Sequence, residues 1–253
     1  MSNQCGPFTR ATETTWQGPL ARAEPREGDV TETVAVLDAP VRSAGDRSAQ
    51  RAYVHAPPGL LTLPRSPKAL ILFIRSRATD EAQRAIDLAL SNRLTQAGYA
   101  TMHLAFSTTS SGRSGTDNSG GRSLSDRLES VIDWVKRDRD TQHLSLGLLA
   151  FDDAVPAVLV AAASAPADVS AVVTHGGRPD HAGAALGMVT TPTLMIVDRM
   201  NLEAVKLAEG ALDRLAGARH LVLAPSDEEV GLVDTIFDYV RQWSDVYLTN
   251  RFV

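Results

Sequence analysis

One cysteine, Cys5, stands in 253 residues. A lone thiol forms no intrachain disulfide framework and no cysteine-based zinc site. Basic residues are not in surplus: 25 Lys and Arg against 30 Asp and Glu leave a net charge of −5. Without excess cations to neutralise phosphates, a nucleic-acid partner is not expected. No apolar run reaches the ~18 residues of a bilayer-crossing helix, so no membrane partner is expected either. The opening 25 residues hold no apolar core of a secretory signal, which makes a cytoplasmic location the expectation. Nothing in the sequence calls for a metal or a cofactor. What is present is a globular balance, 43% hydrophobic and 22% charged, which excludes a mainly disordered chain.

The chain divides by composition. Residues 1–29 are polar and broken by Gly6, Pro7, Gly18, Pro19, Pro25 and Gly28, and are expected to form a flexible N-terminal arm. Residues 30–253 are expected to form a single domain. Segments 31–37 (TETVAVL) and 50–55 (QRAYVH) alternate or are β-branched, as half-buried strands do. Pro57, Pro58, Gly59 and Pro64 to Pro67 punctuate a loop. The continuous apolar run 69–74 (ALILFI) predicts a strand buried on both faces.

Strand and helix then alternate. A helix is expected over 79–97, with Ala82, Ala85, Ile86, Ala89 and Leu90 on its inner face and Gly98 at its end. Strands are expected at 99–106, 144–150, 169–173, 192–197 and 220–223. Helices are expected after Ser123, at 154–163, at 202–215 and in the last thirty residues. Ser123 with Asp126, and Ser226 with Glu229, have the spacing of capping boxes. Residues 107–123 are almost wholly Ser, Thr, Gly and polar, and read as a long loop. This order specifies a mostly parallel central sheet with helices on both faces, preceded by antiparallel leading strands.

The stretch 146–192 (LGLLAFDDAVPAVLVAAASAPADVSAVVTHGGRPDHAGAALGMVTTP) carries a family resemblance. A glycine-bearing strand runs into a sharp turn, an Ala-rich helix follows, and the next strand ends in Gly176-Gly177-Arg178-Pro179-Asp180. These features resemble the dienelactone-hydrolase-like α/β-hydrolases, and the similarity extends over about 69–248. The resemblance implies an α/β-hydrolase fold and a defined chemistry. A serine or cysteine sits on a tight small-x-nucleophile-x-small elbow, and backbone N–H groups form an oxyanion hole. An acid and then a histidine follow in the chain.

The residues at those places differ from that chemistry. The elbow is Ala150-Phe151-Asp152-Asp153-Ala154, with Asp152 at its centre. The oxyanion segment is Arg75-Ser76-Arg77-Ala78, without glycine. Asn201 falls at the acid, with Asp198 nearby. The stretch 224–231 (APSDEEVG), where the base belongs, contains no histidine. The resemblance therefore implies a hydrolase framework that has lost nucleophile, oxyanion hole and base. The expected role is non-catalytic, through a protein partner, a second copy of the chain, or a small molecule in the vestigial cleft.

Alternatives stay open at single residues. Asp152 could serve as a nucleophile or base with His175 in an unconventional hydrolase of a small ester or lactone. Asp152 or Asp153 could instead cap the following helix, with Pro156 tolerated in its first turn. His175 and His181, near Asp152, Asp153 and Asp180, could hold a metal or form a relocated acid–base pair, or be plain loop histidines. Arg75 and Arg77 could bind an anion, or pair with Asp152 or Asp153 and close the cleft.

Overall fold

In the computed structural model the described residues are 32–36, 59–75, 81–105, 123–225 and 231–249. The arm 1–29, the strand expected at 50–55, Arg77 and most of the polar loop 107–123 lie outside them.

Among the described residues, eight strands form one sheet: β1 Glu32–Val36, β2 Gly59–Leu63, β3 Leu70–Arg75, β4 Ala100–Ala105, β5 Leu146–Phe151, β6 Ala171–His175, β7 Thr193–Asp198 and β8 Arg219–Ala224. Their spatial order is β1-β2-β4-β3-β5-β6-β7-β8. β2 runs antiparallel to both β1 and β4, and every later pairing is parallel. Five α-helices connect or flank these strands: α1 Glu81–Gln96, α2 Leu124–Val135, α3 Val155–Ser164, α4 Leu202–Leu212 and α5 Leu232–Ser244.

The strands sort their side chains by the period of two. Leu70, Leu72, Ile74, Leu146 and Leu148 join one core, which also holds the inner faces of α2, α3 and α4. Ile71, Phe73, Leu149 and Phe151 join the other, with residues of α1 and α5. β3 and β5 are buried at almost every position, which is why they read as unbroken apolar runs.

Several expectations meet the structure directly. Ser123 caps α2 in a full capping box with Asp126, and Leu128, Val131, Ile132 and Val135 form its buried stripe. Pro156 sits in the first turn of α3. Other expectations need correction. Strand β2 occupies residues expected to be loop, because Gly59–Leu63 pairs on both sides in spite of its flanking prolines. α5 starts at Leu232 behind Gly231, whose φ of 102° lies in the left-handed region; Ser226 and Glu229, expected as its capping box, lie outside the described residues. A 3₁₀ stretch at Pro179–Met188, broken at Gly183, had no periodic signal.

The inner face of α1 is also rotated from the expected one. Ala85 is exposed, while Asp87, Leu90, Ser91, Leu94 and Thr95 are buried. Polar residues at i, i+4 and i+8 share that face because they find partners there. Ser91 Oγ lies 2.9 Å from Thr101 Oγ1 on β4, and Asp87 receives an arginine.

Leu148 lies in β5 between β3 and β6 and is 1% exposed. Leu148→Ala is expected to cost about 2–5 kcal/mol through lost burial and the cavity left behind. Urea denaturation reads this as a lower midpoint at unchanged slope, and a loss below about 1 kcal/mol would contradict the central placement.

Candidate functional site

The site forms where β3, β5, β6 and β7 end together. In open α/β sheets covered on both faces, ligands usually bind in the crevice outside the carboxyl ends of the strands. β5 delivers its chain into a 3₁₀ turn, Asp152–Ala154, and then directly into α3. The handover is sharp. Asp152 has φ 49° and is the only non-glycine residue with positive φ among the described residues. That conformation costs about 1–3 kcal/mol and persists only where surrounding packing imposes it.

The packing that imposes it comes from β6. Its carboxyl end runs into Gly176 and Gly177, with φ of 65° and 80°. A Cβ on Gly177 would stand 2.3 Å from the Asp152 carbonyl oxygen and 2.9 Å from Val155 Cγ2. The backbones of the turn and the elbow therefore approach as closely as glycine alone permits. Beyond the turn, the Arg178 guanidinium donates to Asp180 at 3.0 and 2.9 Å, which holds the Asp180 carboxyl below its ordinary pKa.

Arg75, at the end of β3, organises the charges. Its Nε and Nη2 donate to Asp87 on α1 at 2.7 and 2.8 Å, and its Nη1 donates to Asp152 Oδ2 at 3.0 Å. The guanidinium carbon lies 4.0 Å from the centre of the Phe151 ring. The two ends of this chain of charges differ in burial. The side chains of Arg75 and Asp87 are each 12% exposed, whereas that of Asp152 is 63% exposed. Asp87 is thus the fixed anchor and Asp152 the solvent-facing member. The pairing of Arg75 with the elbow, one of the sequence alternatives, is present.

Neither Asp152 nor Asp153 is the N-cap residue of the helix it precedes. The 3₁₀ turn has Phe151 at its N-cap and α3 has Ala154, and neither cap makes a side-chain hydrogen bond. Asp152 turns its carboxylate to Arg75 instead. Asn201, aligned with the family's acid, caps α4 by accepting from Ala204 N at 3.0 Å. Asp198 accepts from Met200 N at 2.8 Å.

A cavity of about 380 Å³ opens between the elbow and α4. Asp152, His175 and Arg178 contribute to its wall, as do Asp198, Asn201 and Glu203. His175 is the register partner of Phe151, and their ring centres are 6.1 Å apart. The structure therefore brings Asp152 and His175 to one cavity. His181 stands apart from that wall, 59% exposed, with Nε2 3.8 Å from Asp180. Among the described residues no group of three or more His, Cys, Asp or Glu is arranged to hold a metal ion.

Asp87, Arg178 and Glu203 were not singled out from the sequence. The signal for Asp87 was available in its polar stripe with Ser91 and Thr95. Arg178 lay in the quoted Gly-Gly-Arg-Pro-Asp run. Nothing local marks Glu203.

Behind Arg75, His103 on β4 stacks on Phe73 with ring centres 4.4 Å apart. Its Nε2 is buried without a hydrogen-bond partner among the described residues. Burial pushes this imidazole below its ordinary value of 6.5; the Asp87 carboxylate opposes the shift and the Arg75 guanidinium adds to it.

Comparison with known proteins places this geometry. No protein-family profile matches the chain. Dienelactone hydrolase from Anabaena variabilis superposes with a TM-score of 0.66 at 29% identity, covering 87% of this chain and 99% of its own. An α/β serine hydrolase without lid from Xanthomonas campestris gives 0.54 at 18%, covering 91% and 98%. The chain is an α/β-hydrolase-fold protein. Within that fold it is dienelactone-hydrolase-like. Proteins from two strains of Mycobacterium tuberculosis, each named "Putative phosphoribosyl transferase", are 30% identical over 190 residues. That match covers 73% of this chain and only 42% of theirs, so the chain spans less than half the length of these curated relatives.

Three outcomes follow from the geometry. Asp87→Ala removes the main partner of a largely buried guanidinium and is expected to cost about 2–3 kcal/mol, whereas Asp152→Asn, at an exposed pair, costs under about 1 kcal/mol. Equilibrium denaturation of both variants checks the order. Gly177→Ala forces apart the turn and the elbow and is expected to cost more than about 2 kcal/mol, read by the same measurement. The unfolded chain binds a proton on His103 near its ordinary value, which the folded chain resists. Stability is therefore complete above that value and falls as pH drops from it toward the lower folded pKa. His103→Leu is expected to flatten this part of the pH–stability curve, and an unchanged slope would exclude His103 as its source.

Proposed function

We propose that this chain uses the dienelactone-hydrolase-like framework to bind rather than to cleave, with the cavity between the elbow and α4 as its ligand site. One observation carries this reading. The elbow centre, where the family resemblance puts a nucleophile, holds the carboxylate of Asp152 ion-paired to Arg75 at 3.0 Å. Arg75 itself starts the segment where the oxyanion donors belong. A carboxylate accepting a charge-assisted hydrogen bond is a poorer nucleophile, and a guanidinium bound to two aspartates has fewer donors left for a developing oxyanion. Asn201 is committed to a helix cap, and residues 224–231 contain no histidine. The protein acts through its bound ligand, a protein partner or a second copy. The described helices include none long and apolar enough to cross a membrane.

The activity named for the mycobacterial relatives is assigned, in this reading, to the part of their length outside the match. A second reading rests on Asp152 and His175 sharing one cavity. There, Asp152 would act as nucleophile or base on a small ester or lactone, with His175 as its partner.

Purified chain assayed with p-nitrophenyl acetate and with a dienelactone separates the two readings. The binding reading expects no turnover above buffer and an Asp152→Ala variant indistinguishable from the parent. Turnover that disappears in both Asp152→Ala and His175→Ala would establish the second reading and end the first.

A further inference from the structure

The sheet carries a second cavity, remote from the elbow and opposite to it in charge. It measures about 490 Å³ and lies along the edge strand β8, against α5 and the π-helical turn Asp245–Thr249 that continues it. Arg219 and His220 stand at the amino end of β8, the opposite strand end from the Asp152 cavity.

Three features of the wall point to one ligand chemistry. The first is charge. The lining includes Arg219 and His220 but no Asp or Glu, in a chain with 30 acidic residues and a net charge of −5. Arg219 makes one hydrogen bond, from Nη1 to the Leu215 carbonyl at 3.0 Å, and no ion pair among the described residues. Its remaining donors suit a planar carboxylate. The second is an aromatic stripe. Tyr239, Trp243 and Tyr247 recur every four residues, and the last two rings have centres 4.5 Å apart at 51°. With Leu194 they make a surface that takes a flat apolar ring. The third is an unpaired donor. The Trp243 Nε1–H is buried without a hydrogen-bond partner among the described residues, which costs free energy unless an acceptor arrives. A π turn beside such a wall is a recurrent feature of functional sites.

We propose that this edge cavity binds a small aromatic carboxylate, with its ring against Tyr239, Trp243 and Tyr247 and its carboxylate on Arg219. The inference is independent of what happens at Asp152.

Isothermal titration of the full chain with 2-naphthoate and with its neutral counterpart 2-naphthamide tests it. Saturable binding of 2-naphthoate is expected with Kd below about 1 mM, and the amide is expected to bind about tenfold more weakly. Arg219 is exposed, so Arg219→Gln should fold, which a matched melting curve verifies. This variant should lose about tenfold for the carboxylate and nothing for the amide, with recovery in Arg219→Lys. Trp243→Phe keeps a ring, removes the donor and should weaken 2-naphthoate a few-fold, on the order of one hydrogen bond. No saturation at the stated concentration, equal affinity for acid and amide, or an Arg219→Gln variant that binds like the parent overturns the proposal.

Discussion

Burial of the central strands on both faces is the constraint from which the rest of this molecule follows. β3 and β5 have no polar side to spare, so helices must cover them above and below. Right-handed crossovers then place the carboxyl ends of the parallel strands β3 to β8 on one rim. Arg75, Phe151, His175 and Asp198 are neighbours for that reason alone, although they are widely separated in the chain. Each is the last residue of its strand. The same burial leaves two strands, β1 and β8, at the margins of the sheet. The cavities used in the argument accordingly sit at the rim and at a margin.

At the rim, one cation answers two carboxylates. Asp87 grips Arg75 through two parallel bonds inside the protein, and Asp152 meets its third donor from the solvent side. The arrangement keeps a guanidinium over the Phe151 ring and beside the elbow, where the fold's enzymes require mobile protons and open donors. One guanidinium between two carboxylates leaves the elbow with a net negative charge. The pairing gives the Asp152 carboxylate a partner, while the close fit of Gly177 holds the turn in a conformation seldom taken by residues with a side chain.

The sequence was legible wherever the pattern was local and periodic. The runs in β3 and β5, the stripe of α2 and its capping box, and the glycine turn after β6 all declared themselves. Strand β2 did not, because prolines at 57, 58 and 64 outweighed a five-residue apolar segment whose pairing partners are distant in the chain. α1 was misoriented because alanines are weak markers of burial, while Asp87, Ser91 and Thr95 are polar residues made burial-compatible by tertiary partners. The elbow could be found by alignment to a family pattern, but the direction of the Asp152 carboxylate could not. Capping and ion pairing are both open to an aspartate at a helix start, and the choice depends on Arg75, 77 residues away.

The contact between Gly177 and the Asp152 carbonyl has a consequence for how such chains diverge. A backbone-to-backbone fit does not record which side chain the elbow displays. Substitution at position 152 is therefore free to explore functional groups while the glycine partner stays frozen. Lineages that exchange the displayed group should keep the glycine at position 177 unaltered.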